Sequence, residues 1–274
     1  AMREHQKYSA VTAAAGALLP RFIAVNNTPG KDMSVVVRGH ERVLRARLED
    51  AKFFYRSDLA APLDRQVERL KNVLFQAQLG SVYDKVRRVQ ALARHVAELS
   101  GGDADFCRQV ERAARLCKAD LVSQVVGEFP KLQGVMGRVY AGVQGEPSAV
   151  AAAIEEHYRP TASGGALPES PAGAVLAIAD KMDTICGCFR AGLIPTGAAD
   201  PYALRRQGIG IVQIMRQRDF RFALADVVNH SLGLFNGPAA APADTAGKIL
   251  GFVEGRLASI LAEEGLAKDT VAAV

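Results

Sequence analysis

The sequence is poor in the residues that mark several common protein classes. It contains no tryptophan and four cysteines, at positions 107, 117, 186 and 188. Their spacing matches no disulfide framework of a secreted protein, so we expect a reducing, cytoplasmic location. Cys186 and Cys188 lack a matching Cys or His pair at zinc-site spacing, which favours two small residues packed in a helix. No apolar run reaches membrane-spanning length, and we expect neither a membrane partner nor a signal peptide.

Motifs for catalysis are also missing from the sequence. It has no GxxxxGK[ST] phosphate-binding loop, no glycine fingerprint for dinucleotides and no HExxH zinc motif. No Ser or Cys stands in a recognisable nucleophile motif. We therefore predict that the chain has no catalytic residue, binds no metal and holds no cofactor. A composition of 49% hydrophobic and 23% charged residues is ordinary for a globular protein. The net charge of +5 mildly favours an anionic partner such as RNA.

Hydrophobic periodicity predicts a mainly α-helical chain that follows a short β-hairpin. Residues 6–12 and 20–26 are rich in β-forming side chains on either side of AAAGALL, which predicts two paired strands. Helices are then expected over these ranges: 34–55, 62–79, 82–100, 104–126, 147–157, 171–192, 202–216, 223–234 and 246–264.

Domain boundaries follow from the same pattern. Two strands alone are only marginally stable, so we interpret residues 1–33 as the end of a β-rich domain. Residues 236–243, NGPAAAPA, have the composition of a linker. We predict an all-helical domain over residues 34–235, and a linker with the start of a further helical region over residues 236–274. The last predicted helix belongs either to the main domain or to a following one.

The most apolar segment, residues 171–192, organises the prediction. Val175, Ile178 and Met182 recur there at helical spacing among small residues, which predicts a buried helix that neighbours approach closely. Asp180 lies on the other side of this helix. A carboxylate in such surroundings needs a partner or a chemical role, because unpaired burial is costly. After the next loop, Asp200 is expected to cap a helix that begins at Pro201.

Arginines crowd several predicted helices and are the candidates for contact with an RNA backbone. Arginine and lysine on phosphates give a salt-dependent affinity that is largely independent of sequence. The alternative is a solvated helix face on which the arginines pair with interleaved acids. The candidate residues are Arg38, Arg42, Arg45, Arg47, Arg87, Arg88, Arg205 and Arg206.

The predicted helices around residues 84, 120 and 180 resemble the HD superfamily of metal-dependent phosphohydrolases. Those enzymes hold a divalent metal with a lone His, an adjacent His-Asp pair and a later Asp. Asp120 and Asp180 would correspond to the two aspartates, but Ala119 replaces the His of the pair. The histidines at positions 5, 40, 95, 157 and 230 do not supply the pattern. A site with two carboxylates and no imidazole would not bind a transition metal in that way.

We therefore regard Asp120 and Asp180 as degenerate HD positions. They are expected to link helices through hydrogen bonds or ion pairs, with Lys118 or Lys181 as partners. An active HD-type metal-dependent phosphohydrolase is the alternative interpretation.

Five segments resemble, in the same order, the beta subunit of the bacterial heterotetrameric glycyl-tRNA synthetase. Together they cover most of residues 5–235. His40 stands where that family usually has Asn, and Cys186 and Cys188 replace apolar or small residues. The segments are GHERVLRARLEDAKFFYRSD (39–58), RLKNVLFQAQLGSVYDKVRRVQALA (69–93), ARLCKADLVSQVVGEFPKLQGVMGRVYA (114–141), AIEEHYRPTASGGALPESP (153–171) and LAIADKMDTICGCFRAGLIPTGAADPYALRR (176–206).

This resemblance implies an enzyme that joins glycine to tRNA-Gly using ATP with Mg²⁺, in an assembly of two alpha and two beta subunits. Glycyl-adenylate would form on the alpha subunit, and the beta subunit would bind tRNA through domains that include a degenerate HD-like helical domain. We expect this chain to be a non-catalytic central part of the beta subunit. Its expected partners are the alpha subunit and tRNA-Gly, with no DNA. A helical scaffold that contacts only protein remains open.

Overall fold

A computed structural model of the chain describes residues 7–28, 30–162, 164–235 and 244–266. Within these residues the structure is mainly α-helical, with two short hairpins, which confirms the predicted fold class. The described residues form two compact units. Of the described residues, unit 1 contains those within 7–61 and 122–133, and unit 2 contains those within 62–121 and 134–266. The HD-like arrangement and the predicted domain boundaries stay predictions, and the proposed linker lies outside the described residues.

The described elements follow one another in a simple order. The strands are β1 (Tyr8–Thr12), β2 (Leu18–Ala24), β3 (Leu74–Gln76) and β4 (Gly80–Ser81). The helices are α1 (Met33–Leu59), α2 (Leu63–Arg69), α3 (Val82–Leu99), α4 (Ala104–Leu116), α5 (Gln124–Glu128), α6 (Val135–Val143), α7 (Ser148–Glu156), α8 (Pro171–Arg190), α9 (Leu204–Gln217), α10 (Leu224–Gly233) and α11 (Thr245–Glu263).

Unit 1 joins the predicted N-terminal hairpin to the long helix α1. Strands β1 and β2 pair antiparallel, with Tyr8 opposite Ala24. The Tyr8 hydroxyl lies 3.0 Å from Nδ1 of His40 on α1, and Nε2 of His40 lies 2.9 Å from Asn26 Oδ1. His40 therefore fastens both strand ends of the hairpin to α1. At the other end of α1, the buried Asp58 carboxylate accepts two backbone N–H bonds from the start of α5.

Unit 2 is built around α8, as its apolar periodicity predicts. Ser170 caps this helix by accepting a hydrogen bond from the Gly173 N–H, and Pro171 occupies the first turn. Almost every side chain of α8 is buried. Helices α3, α4, α7, α9, α10 and α11 all pack against it. The last helix, α11, therefore has partners within unit 2, including an edge-to-face contact between Phe252 and Phe189 of α8.

Two predicted helices are shorter than expected, and the prediction of one helix over residues 62–79 is wrong. Helix α2 ends at Arg69, and a short antiparallel pair, β3–β4, follows. Gly80 turns the chain with a φ of +87°, a conformation that glycine adopts readily. The helix expected over residues 104–126 ends at Leu116, and a separate helix, α5, follows with Ser123 as its cap.

The remaining boundaries agree with the sequence to within a few residues. Ser81 and Asp84 form a reciprocal capping box at the start of α3, where the sequence places a cap. Helix α9 begins at Leu204, so Pro201 precedes the helix and does not occupy its first position. None of the helices in the described residues combines the length and apolarity of a membrane span.

Candidate functional site

The carboxylate of Asp180 lies between two lysine ammonium groups at the centre of unit 2. Lys118 Nζ is 3.1 Å from Asp180 Oδ2, and Lys85 Nζ is 3.1 Å from Asp180 Oδ1. Both lysine side chains are buried, and 13% of the Asp180 side chain is exposed. Burial alone would raise the pKa of the Asp180 carboxyl, but Lys118 and Lys85 outweigh it and hold that pKa well below its usual range. Asp180 therefore has the partners that its sequence context requires.

His157 completes this group, although the sequence does not connect it with Asp180. Its Nε2 is 2.8 Å from Lys118 Nζ, and its Nδ1 is 2.6 Å from the backbone oxygen of Ile154. The imidazole is fully buried. Burial, together with the ammonium of Lys118, lowers the pKa of His157 well below its ordinary value. His157 is therefore neutral and accepts a hydrogen bond from Lys118 through Nε2.

A second ion-pair group lies one turn further along α8. Asp183 accepts hydrogen bonds from Arg88 Nε at 2.7 Å and from Arg88 Nη2 at 3.3 Å, and Lys85 Nζ lies 3.2 Å from it. Arg88 also donates to the backbone oxygen of Leu79 and lies over the ring of Phe235. The Arg88 side chain is only 10% exposed. Its guanidinium is therefore engaged inside unit 2, so we do not include Arg88 in a surface for RNA.

Asp120 and Lys181 have structural partners of their own. The Asp120 carboxylate accepts backbone N–H bonds from Gly134 at 2.7 Å and Gly137 at 3.0 Å, at the start of α6. Burial raises the pKa of Asp120 despite these bonds. Lys181 donates to the backbone oxygens of His157 and Arg159, and burial lowers its pKa to about 8. In the described residues Asp120 thus contacts α6 through backbone N–H groups and forms no ion pair with Lys118 or Lys181, the partners expected from the sequence.

The residues around Asp180 do not fit a divalent metal ion in the native protein. The carboxylate that would bind the metal is paired with two ammonium groups, and Asp120 caps a helix instead of turning toward a shared ion. Within the described residues, no group of three or more His, Cys, Asp and Glu side chains is placed to hold a metal. What this arrangement does chemically is to neutralise buried charges and to connect α3, α4 and α8.

Three of the predicted arginines lie on one exposed face of α1. Arg38, Arg42 and Arg45 are spaced by four and three residues, so their side chains follow each other on successive turns. All three are exposed. The structure extends this row to Lys52 and Arg56, which the sequence analysis missed although helical phase places them on the same face. We call these five residues the α1 stripe.

The α1 stripe is long, and its charge is only partly neutralised. From residue 38 to residue 56 it covers about 27 Å at about 1.5 Å per residue. Glu49 lies on the same face and pairs with Lys52 at 2.7 Å. Arg38 donates to the Ser34 hydroxyl, and Arg42 and Arg45 form no ion pair with any residue that the structure describes. The stripe therefore presents an excess of positive charge to solvent.

Arg47 differs from its neighbours on α1. It lies on the opposite face of the helix and pairs with Glu128 of α5 at 2.8 Å. This ion pair joins two helices of unit 1. Glu128 is not one of the acids interleaved on α1, so Arg47 links two helices and does not pair in the way that the interleaved-acid interpretation expects. That interpretation fits Glu49 better, since this carboxylate pairs with Lys52 and lies four residues after Arg45.

The remaining candidates lie in unit 2. Arg87 is exposed on α3, and Arg205 and Arg206 lie in the first turn of α9, where Arg206 is exposed and Arg205 is half-buried. The Asp200 carboxylate accepts hydrogen bonds from the backbone N–H groups of Leu204 and Arg205 at 2.8 and 3.0 Å, so it caps α9 as predicted. It does so from three residues before the N-cap residue, Ala203, and not from the predicted N-cap position. Because Asp200 occupies these amides, the helix terminus has fewer N–H groups for a phosphate, and only the side chains of Arg205 and Arg206 remain candidates.

Comparison with known proteins agrees with the sequence resemblance. A family model described as glycyl-tRNA synthetase beta subunit matches residues 1–274. The chain is 54% identical to the glycine–tRNA ligase beta subunit of Desulforapulum autotrophicum over 271 residues, which are 99% of this chain and 39% of that protein. It is 49% identical to the same subunit of Geobacter metallireducens, with 100% of this chain and 40% of the relative covered. It is 51% identical to the same subunit of Citrifermentans bemidjiense, with 100% of this chain and 39% of that relative covered. The chain thus spans about two-fifths of these relatives' length, and it belongs to the glycyl-tRNA synthetase beta subunit family.

Proposed function

We propose that this chain is a non-catalytic central part of a glycine–tRNA ligase beta subunit, acting in the cytoplasm. It supports aminoacylation of tRNA-Gly by holding the tRNA backbone and by assembling with the alpha subunit. ATP and Mg²⁺ are used on the alpha subunit. Family membership supports the ligase role, since the relatives covering this chain carry that name.

The non-catalytic role is supported by the use of the charged side chains at the centre of unit 2. Asp180, Asp183 and Asp120 all have internal partners, and the lysines facing them are buried. An HD-type phosphohydrolase would need a carboxylate free to hold a metal ion. We therefore do not propose the phosphohydrolase activity for this chain.

The observation that carries the RNA-binding proposal is the α1 stripe. Exposed guanidinium groups on successive helical turns can each contact a phosphate, and such contacts carry little sequence information. The slope of log affinity against log salt concentration is negative, and each phosphate contact makes it steeper by about 0.7 to 0.9. Removing three contacts should therefore make that slope shallower by about 2 to 3.

The test compares two triple variants of equal charge. Arg38→Gln, Arg42→Gln and Arg45→Gln remove three arginines of the stripe. Arg94→Gln, Arg108→Gln and Arg138→Gln remove three exposed arginines of unit 2, each of which is paired with a nearby acid. Each triple variant lowers the formal net charge from +5 to +2, because three positive charges are lost. Binding to tRNA-Gly and to an unrelated tRNA is measured over a salt series.

The stripe variant is expected to bind tRNA more weakly and with the shallower salt slope, whereas the control keeps the slope of the unchanged chain. Equal losses in both variants would show that only net charge matters and would contradict a role for the stripe. If the unchanged chain does not bind tRNA at low salt, the segment acts as a scaffold within the ligase.

Exposed apolar side chains in unit 1 favour a second role in assembly. Val25 after the hairpin is 81% exposed, and Phe53 on α1 is 65% exposed. Aromatic residues are enriched at protein interfaces relative to the rest of the surface, so Phe53 is the candidate anchor for another protein. Phe53→Ser should reduce retention of the alpha subunit on the assembled ligase, whereas Leu74→Ser, at an equally exposed residue of unit 2, should not. Equal retention for both variants would count against docking through unit 1.

A further inference from the structure

The ammonium group of Lys118 has the surroundings of a bound cation. It lies 2.8 Å from His157 Nε2 and 3.1 Å from Asp180 Oδ2. It also lies 4.0 Å from the centre of the Tyr158 ring, a distance at which a cation is attracted to an aromatic face. An imidazole nitrogen, a carboxylate oxygen and an aromatic face therefore converge on one positive charge. The sequence offers Lys118 as a partner of Asp180, but it gives no sign of His157, which lies on a separate segment.

His157 is oriented as a metal-binding histidine would be. Its Nδ1 lies 2.6 Å from the backbone oxygen of Ile154, so Nδ1 carries the proton and donates it. This leaves the lone pair of Nε2 directed at the ammonium group of Lys118. A histidine that binds a metal through Nε2 has the same tautomer and is held by the same kind of contact to a backbone carbonyl.

We infer that His157 and Asp180 form a cation site that the ammonium group of Lys118 fills from within the chain, and that shortening Lys118 opens this site to a divalent transition-metal ion such as Zn²⁺. Neutral imidazole and carboxylate are both ligands of Zn²⁺ in proteins, and water completes its coordination. The Asp180 side chain keeps 13% exposure, so this end of the site lies close to the surface of unit 2.

This inference does not depend on the HD resemblance. The histidine comes from residue 157, at the end of α7, and not from either histidine position of the HD pattern. Asp120, the other degenerate HD position, takes no part because it caps α6. In the native chain the ammonium group of Lys118 occupies this place between His157 and Asp180.

The test uses Lys118→Ala and a matched control in the same chain. Lys181→Ala also removes a buried ammonium group, but Lys181 donates to the backbone oxygens of His157 and Arg159 and not to the imidazole–carboxylate pair. Zn²⁺ is added to each folded protein, and bound metal and melting temperature are measured. Lys118→Ala is expected to bind one equivalent of Zn²⁺ more than the unchanged chain and to melt at a higher temperature with Zn²⁺ than without it. Lys181→Ala is expected to show neither effect.

The double variant Lys118→Ala with His157→Gln identifies the ligand. It should bind Zn²⁺ at least tenfold more weakly than Lys118→Ala, because Gln lacks the imidazole nitrogen. A folded Lys118→Ala chain that takes up no additional Zn²⁺ would overturn the inference, as would a double variant that binds as tightly as the single one.

A measurement on the unchanged chain decides the matter if Lys118→Ala does not fold. Nitrogen-15 NMR of the His157 ring distinguishes its two neutral tautomers. The inference requires the proton on Nδ1 and an unprotonated Nε2 beside the ammonium group. A proton on Nε2 would overturn it, because the lone pair would then not face the cation.

Discussion

Replacing Asp183 by Asn should strongly destabilise unit 2, although it changes only one side-chain atom. Asp183 is 1% exposed and neutralises two cations, Arg88 at 2.7 Å and Lys85 at 3.2 Å. The amide keeps the shape of the carboxylate but not its charge, so Arg88 loses the carboxylate that pairs with it, whereas Lys85 keeps Asp180 at 3.1 Å. Removing one partner of a buried ion pair typically costs about 3–5 kcal/mol. We expect a loss of that size in the free energy of unfolding, measured by urea denaturation, and a melting temperature lower by roughly 6–20 °C.

The same substitution at the surface is the control. Asp105 pairs with Arg108 at 3.0 Å, and both side chains are more than 60% exposed. Surface ion pairs contribute about 0–1 kcal/mol, so Asp105→Asn should change the free energy of unfolding by no more than that. If Asp183→Asn costs less than about 1 kcal/mol, the argument that buried charges hold unit 2 together is wrong.

Three further predictions concern backbone crowding, capping and pH. Gly137→Ala should lower the free energy of unfolding by about 1–3 kcal/mol, since its added Cβ would lie 2.7 Å from a side chain of α7. Gly142→Ala in the same helix meets nothing within 4 Å and should raise the free energy of unfolding by up to about 1 kcal/mol. Urea denaturation of both variants checks the difference in sign. Asp200→Ala should lower the free energy of unfolding by about 0.5–2 kcal/mol and speed amide hydrogen exchange at the start of α9. Unchanged exchange there would contradict the capping role. Burial and the neighbouring His95 lower the pKa of His230 below its usual 6.5, so the folded chain takes up fewer protons than the unfolded chain and loses stability as the pH falls below 6.5. His230→Gln should weaken that pH dependence, and an unaltered profile would refute this cause.

Features with local sequence signals could be predicted well. Each of these signals comes from residues that are close together in the sequence. Examples are the capping box of Ser81 and Asp84, the cap of Asp200 and the apolar periodicity of α8. The short pair β3–β4 was missed, because its apolar residues also fit a helical period. The pairing of Leu74 with Ser81, together with the Val82 N–H that donates to the Val73 oxygen, separates the two interpretations.

The cluster around Asp180 could be predicted only in part. The sequence indicates that Asp180 needs a partner and offers Lys118 as one. It does not indicate Lys85, which reaches Asp180 through the packing of α3 on α8, or His157, which joins the cluster through Lys118. Such contacts join positions far apart in sequence and leave no local pattern.

The division of the α1 arginines was within reach of the sequence. At 3.6 residues per turn, Arg47 lies opposite Arg38 and Arg45, on the side that also carries the apolar residues of the helix. Helical phase would have separated Arg47 from the stripe and would have added Lys52 and Arg56. Its pairing with Glu128 confirms the structural role of that face.

The central claim is that this part of the ligase binds tRNA without taking part in adenylate formation. The most direct test introduces Arg38→Gln, Arg42→Gln and Arg45→Gln into the full-length beta subunit assembled with its alpha subunit. Glycine-dependent exchange of pyrophosphate into ATP reports adenylate formation, and glycylation of tRNA-Gly reports the complete reaction. We expect unchanged exchange together with a higher KM for tRNA. A parallel fall in both activities, or unchanged values for both, would contradict the claim.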